Sequence, residues 1–291
     1  MNIAILSRGE HLYSTKSLLD CGLKQHNMEV LDPSRCHVGT LNHQPVLYYG
    51  QEIVDDLDAV IPRIGASNTY FGTSLVRHFE SMGVFTTVSA ESILQSRNKW
   101  TCHQILSAHD IPVPDTFLGL THDPRMILDH FGHAPVVIKL LQGTHGEGVI
   151  LAESKSSARS IIETLNASKV RFLVQEYIKE SQGVDIRVIV VDGCIVASMK
   201  RISKSDDFRS NLHRGGQPER YDLSPEEARI AISAAKALQL KVCGVDILPS
   251  DRGPLLLEIN STPGLEGIET TTGVDVSQKI ISFIERNKTS S

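Results

Sequence analysis

The sequence predicts a mixed α/β protein, in which an N-terminal unit with a parallel sheet precedes a larger α+β region with antiparallel strands. In the first hundred residues, short apolar runs alternate with helical patterns, which is typical of a parallel sheet with helices on its faces. From residue 95 onward, neighbouring apolar runs are joined by short turns such as Asp192-Gly193, which is a hairpin signal. The 291 residues suffice for two or three structural units.

The N-terminal unit is predicted to alternate strands with helices. The predicted strands cover 2–6, 28–32, 57–65 and 84–88, and the predicted helices cover 13–26 and 70–83. The segment after the first strand, SRGEHLYS, lacks the G-x-G-x-x-G pattern that binds dinucleotides. This absence argues against a dehydrogenase.

The second region is predicted to pair its strands through hairpins. The predicted elements are a helix and a strand in 96–118, two strands and a helix in 134–166, a strand in 171–178, a hairpin in 184–200, a helix in 224–240, strands at 241–248 and 253–260, and a closing helix. Ser224 is expected to cap its helix, with Pro225 at the first helical position and Glu227 completing a capping box.

Composition narrows the class of protein. With 41% hydrophobic and 22% charged residues, the chain is ordinary for a globular enzyme, and its net charge of −5 disfavours a broad nucleic-acid-binding surface. The five cysteines are scattered and never in C-x-x-C spacing, which argues against a disulfide framework or a zinc site. The sequence shows neither a signal peptide nor a membrane span, so the protein is expected to be cytoplasmic.

Two predicted strand ends carry oxygen ligands that suit a divalent metal ion. Glu258 and Asn260 are two residues apart on one strand, so their side chains point the same way. Asp246 lies on the preceding strand, where hairpin pairing would place it opposite or diagonal to Glu258. Carboxylate and amide oxygens favour Mg²⁺ or Mn²⁺ over zinc. A strand end whose polar face meets water would also explain Glu258 and Asn260.

A second group of residues has the features of a phosphate site. Lys139 lies near the end of an apolar strand, where a buried lysine is costly unless it meets an anion. Gly143, Gly146 and Gly148 follow, and glycines allow backbone N–H groups to approach phosphate oxygens. The segment is not a Walker A loop, because no G-K-[ST] follows. A structural hairpin turn is the alternative.

Two further segments could contact a nucleotide. Residues 176–178, Glu-Tyr-Ile, end a strand and offer backbone groups to adenine, and an acidic residue beyond them would suit the ribose hydroxyls. An ordinary strand with a surface turn is the alternative. The long polar loop 200–216 is rich in basic residues that would bind phosphate or carboxylate, unless they form a solvated loop. These basic residues are Lys200, Arg201, Lys204, Arg209, His213 and Arg214.

Taken together, these segments resemble ATP-grasp carboxylate–amine ligases, and among them the RimK group. The resemblance covers essentially the whole chain. It is carried by PVVIKLLQGTHGEGV (135–149), LVQEYIKESQGVDIRVIV (173–190), DDFRSNLHRGG (206–216), GVDILPSDRGPLLLEINSTPGLEGIE (244–269) and VIPRIG (60–65). It implies a Rossmann-like domain in 1–97, an ATP-grasp subdomain with the Gly-rich loop in 98–175, and a second ATP-grasp subdomain with the metal site in 176–291.

The same resemblance implies roles for individual residues. Lys99 and Lys139 would contact ATP, and Asp185 would bind the ribose. The hinge that holds adenine would be Glu176, Tyr177 and Ile178, further nucleotide contacts would come from Arg209, Ser210 and Asn211, and the metal ligands would be Asp246, Glu258 and Asn260. The candidate catalytic residues that neutralise carboxylate and phosphoryl oxygens are Arg187, Arg201, Arg209 and Arg214.

The activity that the resemblance implies is ATP-dependent addition of L-glutamate to the C-terminal glutamate of a small-subunit ribosomal protein. ATP and two Mg²⁺ or Mn²⁺ ions are the expected cofactors, and a dimer or tetramer is expected. One alternative is a ligase with another acceptor, such as free glutamate, a peptide or a cofactor tail. The other alternative is a regulatory module that binds nucleotide without turnover, which the complete metal set and both lysines disfavour.

Overall fold

The N-terminal unit is a parallel sheet with helices, as the alternating pattern predicts. The computed structural model describes residues 1–119, 123–132, 135–141, 148–203 and 216–288. The strands of this sheet are β1 (Asn2–Leu6), β2 (Asn27–Leu31), β6 (Ala59–Pro62) and β7 (Phe85–Thr86), and its helices are α1 (Tyr13–Gly22), α2 (Thr69–Ser81) and α3 (Ala90–Arg97). The spatial order is β2-β1-β6-β7, and every pairing is parallel.

A small antiparallel sheet between β2 and β6 was not predicted. Its strands are β3 (Cys36–Leu41), β4 (Gln44–Tyr49) and β5 (Glu52–Ile53). The hairpin between β3 and β4 turns at Asn42 and His43, whose φ angles are 49° and 65°. Hairpin turns with positive φ normally contain glycine, so the sequence gives little indication of this turn.

The middle of the chain forms a four-stranded antiparallel sheet. Its strands are β8 (Thr116–Gly119), β9 (Val136–Leu140), β10 (Val149–Ala152) and β11 (Phe172–Glu176), and its helices are α4 (Lys99–Ala108), α5 (Arg125–His130) and α6 (Lys155–Ala167). The spatial order is β10-β9-β11-β8. Helix α4 begins at Lys99 because Asn98 takes an extended conformation and its side chain accepts a hydrogen bond from the Thr101 N–H.

The last part of the chain forms a five-stranded antiparallel sheet with the order β14-β13-β12-β15-β16. Its elements are β12 (Val184–Val191), β13 (Cys194–Ile202), β14 (Gln217–Arg220), β15 (Val242–Leu248), β16 (Leu255–Asn260), α7 (Pro225–Ala237), α8 (Glu266–Thr272) and α9 (Val276–Lys288). The capping box of α7 is confirmed: Ser224 accepts from the Glu227 N–H, and Glu227 accepts from the Ser224 N–H. The closing helix is divided into α8 and α9 at Gly273, which has a φ of 70°.

The described residues contain two separate hydrophobic cores. The larger core joins the N-terminal parallel sheet to the five-stranded sheet and includes the buried face of α9. The smaller core lies under the four-stranded sheet and packs α5 and α6 against β9 and β11. The N-terminal parallel sheet and the five-stranded sheet therefore share one core, while the four-stranded middle sheet has its own. No helix in the described ranges combines the length and hydropathy needed to cross a bilayer.

Candidate active site

The β15–β16 hairpin brings the predicted metal ligands together. Asp246 pairs directly with Glu258, which is one of the two arrangements, opposite or diagonal, that the sequence allows, and Gly244 pairs with Asn260. The register shifts between Asp246 and Ile247, so a bulge in the hairpin follows the first carboxylate. Within the described part of the chain, no group of three or more His, Cys, Asp and Glu side chains is placed to hold a metal ion. The available donors are therefore oxygens of two carboxylates and one amide.

Asp246 is the centre of a buried ion-pair network that the sequence did not reveal. Arg187 binds its carboxylate with two hydrogen bonds, from Nε to Oδ1 at 2.7 Å and from Nη2 to Oδ2 at 2.5 Å. The Arg201 Nη2 lies 2.9 Å from Asp246 Oδ2, and the same guanidinium binds both oxygens of Asp185 at 2.5 and 2.7 Å. Asp185 and Arg201 are each 2% exposed. The network therefore fixes Asp185 and Asp246 relative to each other.

The two paired carboxyl groups have opposite electrostatic environments. Burial alone would raise the pKa of Asp246, but the Arg187 and Arg201 guanidinium groups outweigh it and hold that pKa well below its usual range. The protein atoms around Glu258 displace part of its hydration, which raises its pKa, and the negative charge of Asp246 raises that pKa further. The Glu258 side chain nevertheless remains accessible to solvent. Glu258 is thus an accessible carboxylate whose negative charge is poorly compensated, which is the environment that a cation would relieve.

The two predicted lysines lie close enough to Glu258 for its charge to affect both. Lys139 is paired with Val149 and Leu173 in its sheet, and burial lowers its pKa to about 8. Burial also lowers the pKa of Lys99, whose Nζ donates to the Leu140 carbonyl at 3.2 Å. The charge of Glu258 opposes both shifts. Two desolvated ammonium groups beside a carboxylate form a site suited to a metal-bound polyanion.

The predicted adenine hinge lies at the end of β11. Glu176 is the last paired residue of that strand, and Tyr177 and Ile178 follow it. Arg252, from the turn between β15 and β16, binds both carboxylate oxygens of Glu176, with 2.7 Å between Nη1 and Oε1. The sequence did not indicate Arg252, because nothing in a local pattern shows that this turn reaches β11. The ion pair joins the middle sheet to the β15–β16 hairpin.

Part of the predicted site lies outside the described residues, namely Gly143, Gly146, Arg209, Ser210, Asn211 and Arg214. Gly148 is described and has a φ of 73°, and its carbonyl accepts a hydrogen bond from the Leu140 N–H at 2.8 Å. An added Cβ at this position would lie 3.0 Å from the Leu140 side chain. Glycine is therefore required there by both backbone conformation and space.

A group of hydrogen bonds around Thr262 connects the N-terminal unit to the end of the β15–β16 hairpin. The Thr262 N–H donates to Asn260 Oδ1 at 2.9 Å, and the Thr262 hydroxyl donates to the Ile64 carbonyl at 3.4 Å. The guanidinium of Arg97 donates to Thr262 Oγ1 and to the Gly65 carbonyl, both at 3.3 Å. The loop after β6 therefore lies beside the candidate metal site, which sequence periodicity could not show.

Comparisons with solved structures identify the fold. The ATP-grasp ligase PsnB, in complex with minimal precursor, Mg and ADP, has a TM-score of 0.76 and 18% identity, covering 99% of this chain and 98% of that one. A RimK domain ATP-grasp protein from Sphaerobacter thermophilus has a TM-score of 0.73 and 20% identity, covering 97% and 99% of the two chains. The fold is therefore that of the ATP-grasp ligases.

Sequence comparisons identify the family. Residues 1–93 match the RimK pre-ATP-grasp domain, and residues 96–284 match the RimK-like ATP-grasp domain. A probable alpha-L-glutamate ligase of Hydrogenovibrio crunogenus is 47% identical, covering 99% of this chain and 96% of the relative. One from Vibrio cholerae is also 47% identical, covering 100% and 97%. The chain belongs to the RimK-like ATP-grasp family and is an ADP-forming ATP-grasp ligase.

Proposed function

We propose that the enzyme joins L-glutamate to the C-terminal glutamate of a small-subunit ribosomal protein, with conversion of ATP to ADP and phosphate. The observation that carries the proposal is the convergence of Lys99 and Lys139 on the Asp246–Glu258 pair, which provides a site for a metal-bound triphosphate. The name of the relatives, probable alpha-L-glutamate ligase, supports glutamate as the amino acid. The whole-chain resemblance to the RimK group supports the acceptor.

We assign Asp246, Glu258 and Asn260 as ligands of Mg²⁺ or Mn²⁺, and we expect two ions when ATP is bound. The fit rests on the donor set, which consists of hard oxygens, and on the raised pKa of Glu258, since Arg187 and Lys139 only partly offset burial and the charge of Asp246. When bound, the metal neutralises phosphate charge during phosphoryl transfer. Arg187 and Arg201 hold the Asp246 carboxylate in its ionised form. Because that carboxylate is 1% exposed and both of its oxygens accept hydrogen bonds from these arginines, a bound ion would share them with the guanidinium groups.

We assign the nucleotide to the edge between the middle sheet and the five-stranded sheet. Lys99 and Lys139 bind phosphate oxygens, and the Gly143, Gly146 and Gly148 loop covers them. Adenine lies against Glu176, Tyr177 and Ile178. Asp185 is 2% exposed and both of its oxygens accept hydrogen bonds from Arg201, so we place it beneath the ribose rather than in direct contact with the ribose hydroxyls. The segment Arg209, Ser210 and Asn211 completes the nucleotide site. Because Arg201 is 2% exposed and bound to two carboxylates, we assign it a positioning role rather than contact with substrate.

The proposed chemistry has two steps. An acceptor carboxylate oxygen attacks the γ-phosphorus of ATP, and the bond from that phosphorus to the β-phosphate oxygen breaks. This step forms an acylphosphate on the acceptor and releases ADP. The α-amine of glutamate then attacks the acyl carbon, loses a proton and expels phosphate, which forms the amide. The chain contributes positive charge through Lys99, Lys139 and Arg187, and we propose that Arg209 and Arg214 do the same. Exclusion of water by the Gly-rich loop protects the acylphosphate from hydrolysis.

The test combines purified enzyme, Mg-ATP, L-glutamate and the small-subunit ribosomal protein, and it follows ADP release and the intact mass of the acceptor. We expect mass increments of one glutamyl residue, and we expect Glu258→Gln to abolish them. ADP release with free poly-glutamate, or with a glutamylated peptide or cofactor, would replace the proposed acceptor by one of those. ADP release that does not require glutamate would reject the proposed amino acid.

Variants of the two carboxylates should both lose activity but should differ in stability. Asp246→Asn should lose activity and also lower the free energy of unfolding by about 3 kcal/mol, because it leaves the largely buried Arg187 without its charged partner and removes one of the two carboxylates that bind Arg201. Glu258→Gln should lose activity without that destabilisation, since it removes one of two like charges. Denaturant unfolding of both variants measures the difference. Full activity in either variant would contradict the metal assignment.

A further inference from the structure

The parallel sheet has a switch point at which one basic residue follows each of two neighbouring strands. The chain passes from β1 to β2 on one side of β1 and later places β6 on its other side. In open α/β sheets, ligands bind outside the carboxyl ends of the strands where the order reverses in this way. Arg8 lies just beyond β1, and Arg63 directly follows β6. The dinucleotide loop that usually occupies such a position is absent from this sequence.

Arg63 is a partly buried cation whose guanidinium has no bonded partner among the described residues. No hydrogen bond or ion pair joins its guanidinium to any residue that the structure describes, although its backbone N–H donates to the Leu6 carbonyl at 2.9 Å. Burial lowers its pKa to about 10, and the charge of Glu269 opposes that shift. The carboxylate of Glu269 already accepts bonds from the Ser17 hydroxyl at 3.2 Å and the Ser277 N–H at 3.0 Å. A partly desolvated guanidinium without a pair favours binding of an anion from solution.

The position of Arg63 links it to the candidate active site. Its neighbour Ile64 accepts a hydrogen bond from Thr262, which in turn donates its N–H to Asn260. Arg8 reaches the same loop from β1, because an added Cβ on Gly65 would lie 3.6 Å from Arg8 Nη2. Arg63 therefore begins a loop that Arg8 reaches with its guanidinium and that lies beside the proposed metal ligand. A planar guanidinium is matched to the two oxygens of a carboxylate.

We infer that Arg63 binds a carboxylate group of the amino-acid or acceptor substrate that does not itself react. The inference rests on the proposed function and names a specificity site within it. The carboxylate has two possible sources: free glutamate, or the side chain of the terminal glutamate of the acceptor. Both present the same chemistry, and the experiment distinguishes them.

The experiment compares wild-type enzyme, Arg63→Met, Arg63→Lys and the control Arg77→Met with substrates that lack one carboxylate. Arg77 is an exposed residue of α2 whose partner is Glu91. Glutamine and the α-amide of glutamate replace glutamate, and a peptide ending in glutamine replaces a peptide ending in glutamate. ADP release gives kcat/KM for each pair, and a non-hydrolysable ATP analogue gives the nucleotide Kd.

We expect Arg63→Met to lower kcat/KM about 10- to 100-fold for the substrate whose carboxylate is bound. With the analogue lacking that carboxylate, wild type and variant should react at the same rate, which identifies the source. Nucleotide affinity should be unchanged. Arg63→Lys should lie between the two because it keeps the charge but loses the planar fork, and it serves as the test if Arg63→Met does not fold. Arg77→Met should match wild type.

Three outcomes would overturn the inference. A folded Arg63→Met enzyme with wild-type kcat/KM for both substrates would reject it while leaving the proposed function intact. An equal loss with every analogue would show that Arg63 supports the fold rather than binding a carboxylate. Failure of the wild-type enzyme to release ADP with glutamate and peptide would reject the proposed function itself, and the inference with it.

Discussion

At the scale of single residues, Lys139 illustrates how the fold prepares a binding group. The sequence places this lysine at the end of an apolar strand, and the structure surrounds it with protein, so burial lowers its pKa to about 8. An unperturbed lysine titrates near pH 10.4, about two units higher. The ammonium therefore loses its proton in the free enzyme within a pH range that is easily studied, and phosphate oxygens bind the protonated form.

We expect the affinity for a non-hydrolysable ATP analogue to be greatest below pH 8 and to fall by up to about tenfold per pH unit above it. Lys139→Arg keeps its charge throughout, so its profile should be flatter between about pH 7.5 and pH 9. Calorimetric titration across this range measures Kd directly and avoids the titration of the glutamate amine. A wild-type affinity that does not change with pH would contradict a binding role for the Lys139 ammonium.

The candidate site was predictable where its chemistry lies on one strand or one hairpin. Strand alternation and a short turn predicted that Asp246 and Glu258 lie opposite or diagonal to each other on one face of a hairpin. In the structure they lie directly opposite. The ion pairs of Asp246 with Arg187 and of Glu176 with Arg252 were not predictable. Each depends on which strands become neighbours, and local periodicity contains no information about that.

At the scale of secondary-structure elements, α7 shows local signals that agree with the fold. Ser224, Pro225 and Glu227 predicted its first turn, and the observed capping box also receives a hydrogen bond from the Tyr221 hydroxyl at 3.2 Å. The small β3–β5 sheet and the separation of α8 from α9 were missed. In both cases the determining residues, Asn42, His43 and Gly273, adopt positive φ angles that sequence alone did not require.

Ser224→Ala should lower the free energy of unfolding by about 1 kcal/mol, because it removes the acceptor for a backbone N–H at the start of α7. Activity should be unchanged, since the cap lies outside the proposed site. Ser233→Ala, in the interior of the same helix, is the control and should be neutral or slightly stabilising. Denaturant unfolding measures both. Equal stabilities for the two variants would mean that the cap contributes nothing.

At the scale of the whole molecule, the separate core of the middle sheet is the main determinant of its expected dynamics. β9 and β11 pack on a small cluster with α5 and α6, whereas β12 and β15 belong to the large shared core. A unit with its own small core can open without disrupting the rest of the protein. Lys139 lies on β9, so the proposed nucleotide joins the two parts.

Native-state hydrogen exchange should therefore show amides of β9 and β11 opening at a free energy about 2 kcal/mol or more below that of β12 and β15. A non-hydrolysable ATP analogue at one hundred times its Kd should raise the value for β9 by up to about 2.7 kcal/mol. Amides of β1, which belong to the large core, should not exchange before those of β12. A single opening free energy for all four strands would contradict independent motion of the middle sheet.

The large core also imposes an order on events during synthesis. Helix α9 packs against α1, and Phe283 meets Phe85 of β7 edge to face with ring centroids 5.6 Å apart. The N-terminal parallel sheet thus contacts a helix that is synthesised long after it. Until residues 276–288 emerge, Phe85 and the face of α1 that α9 covers lack their partner and present apolar surface to the cell. Slow translation of the middle of the chain would lengthen that exposure, because the partner helix is made only after it.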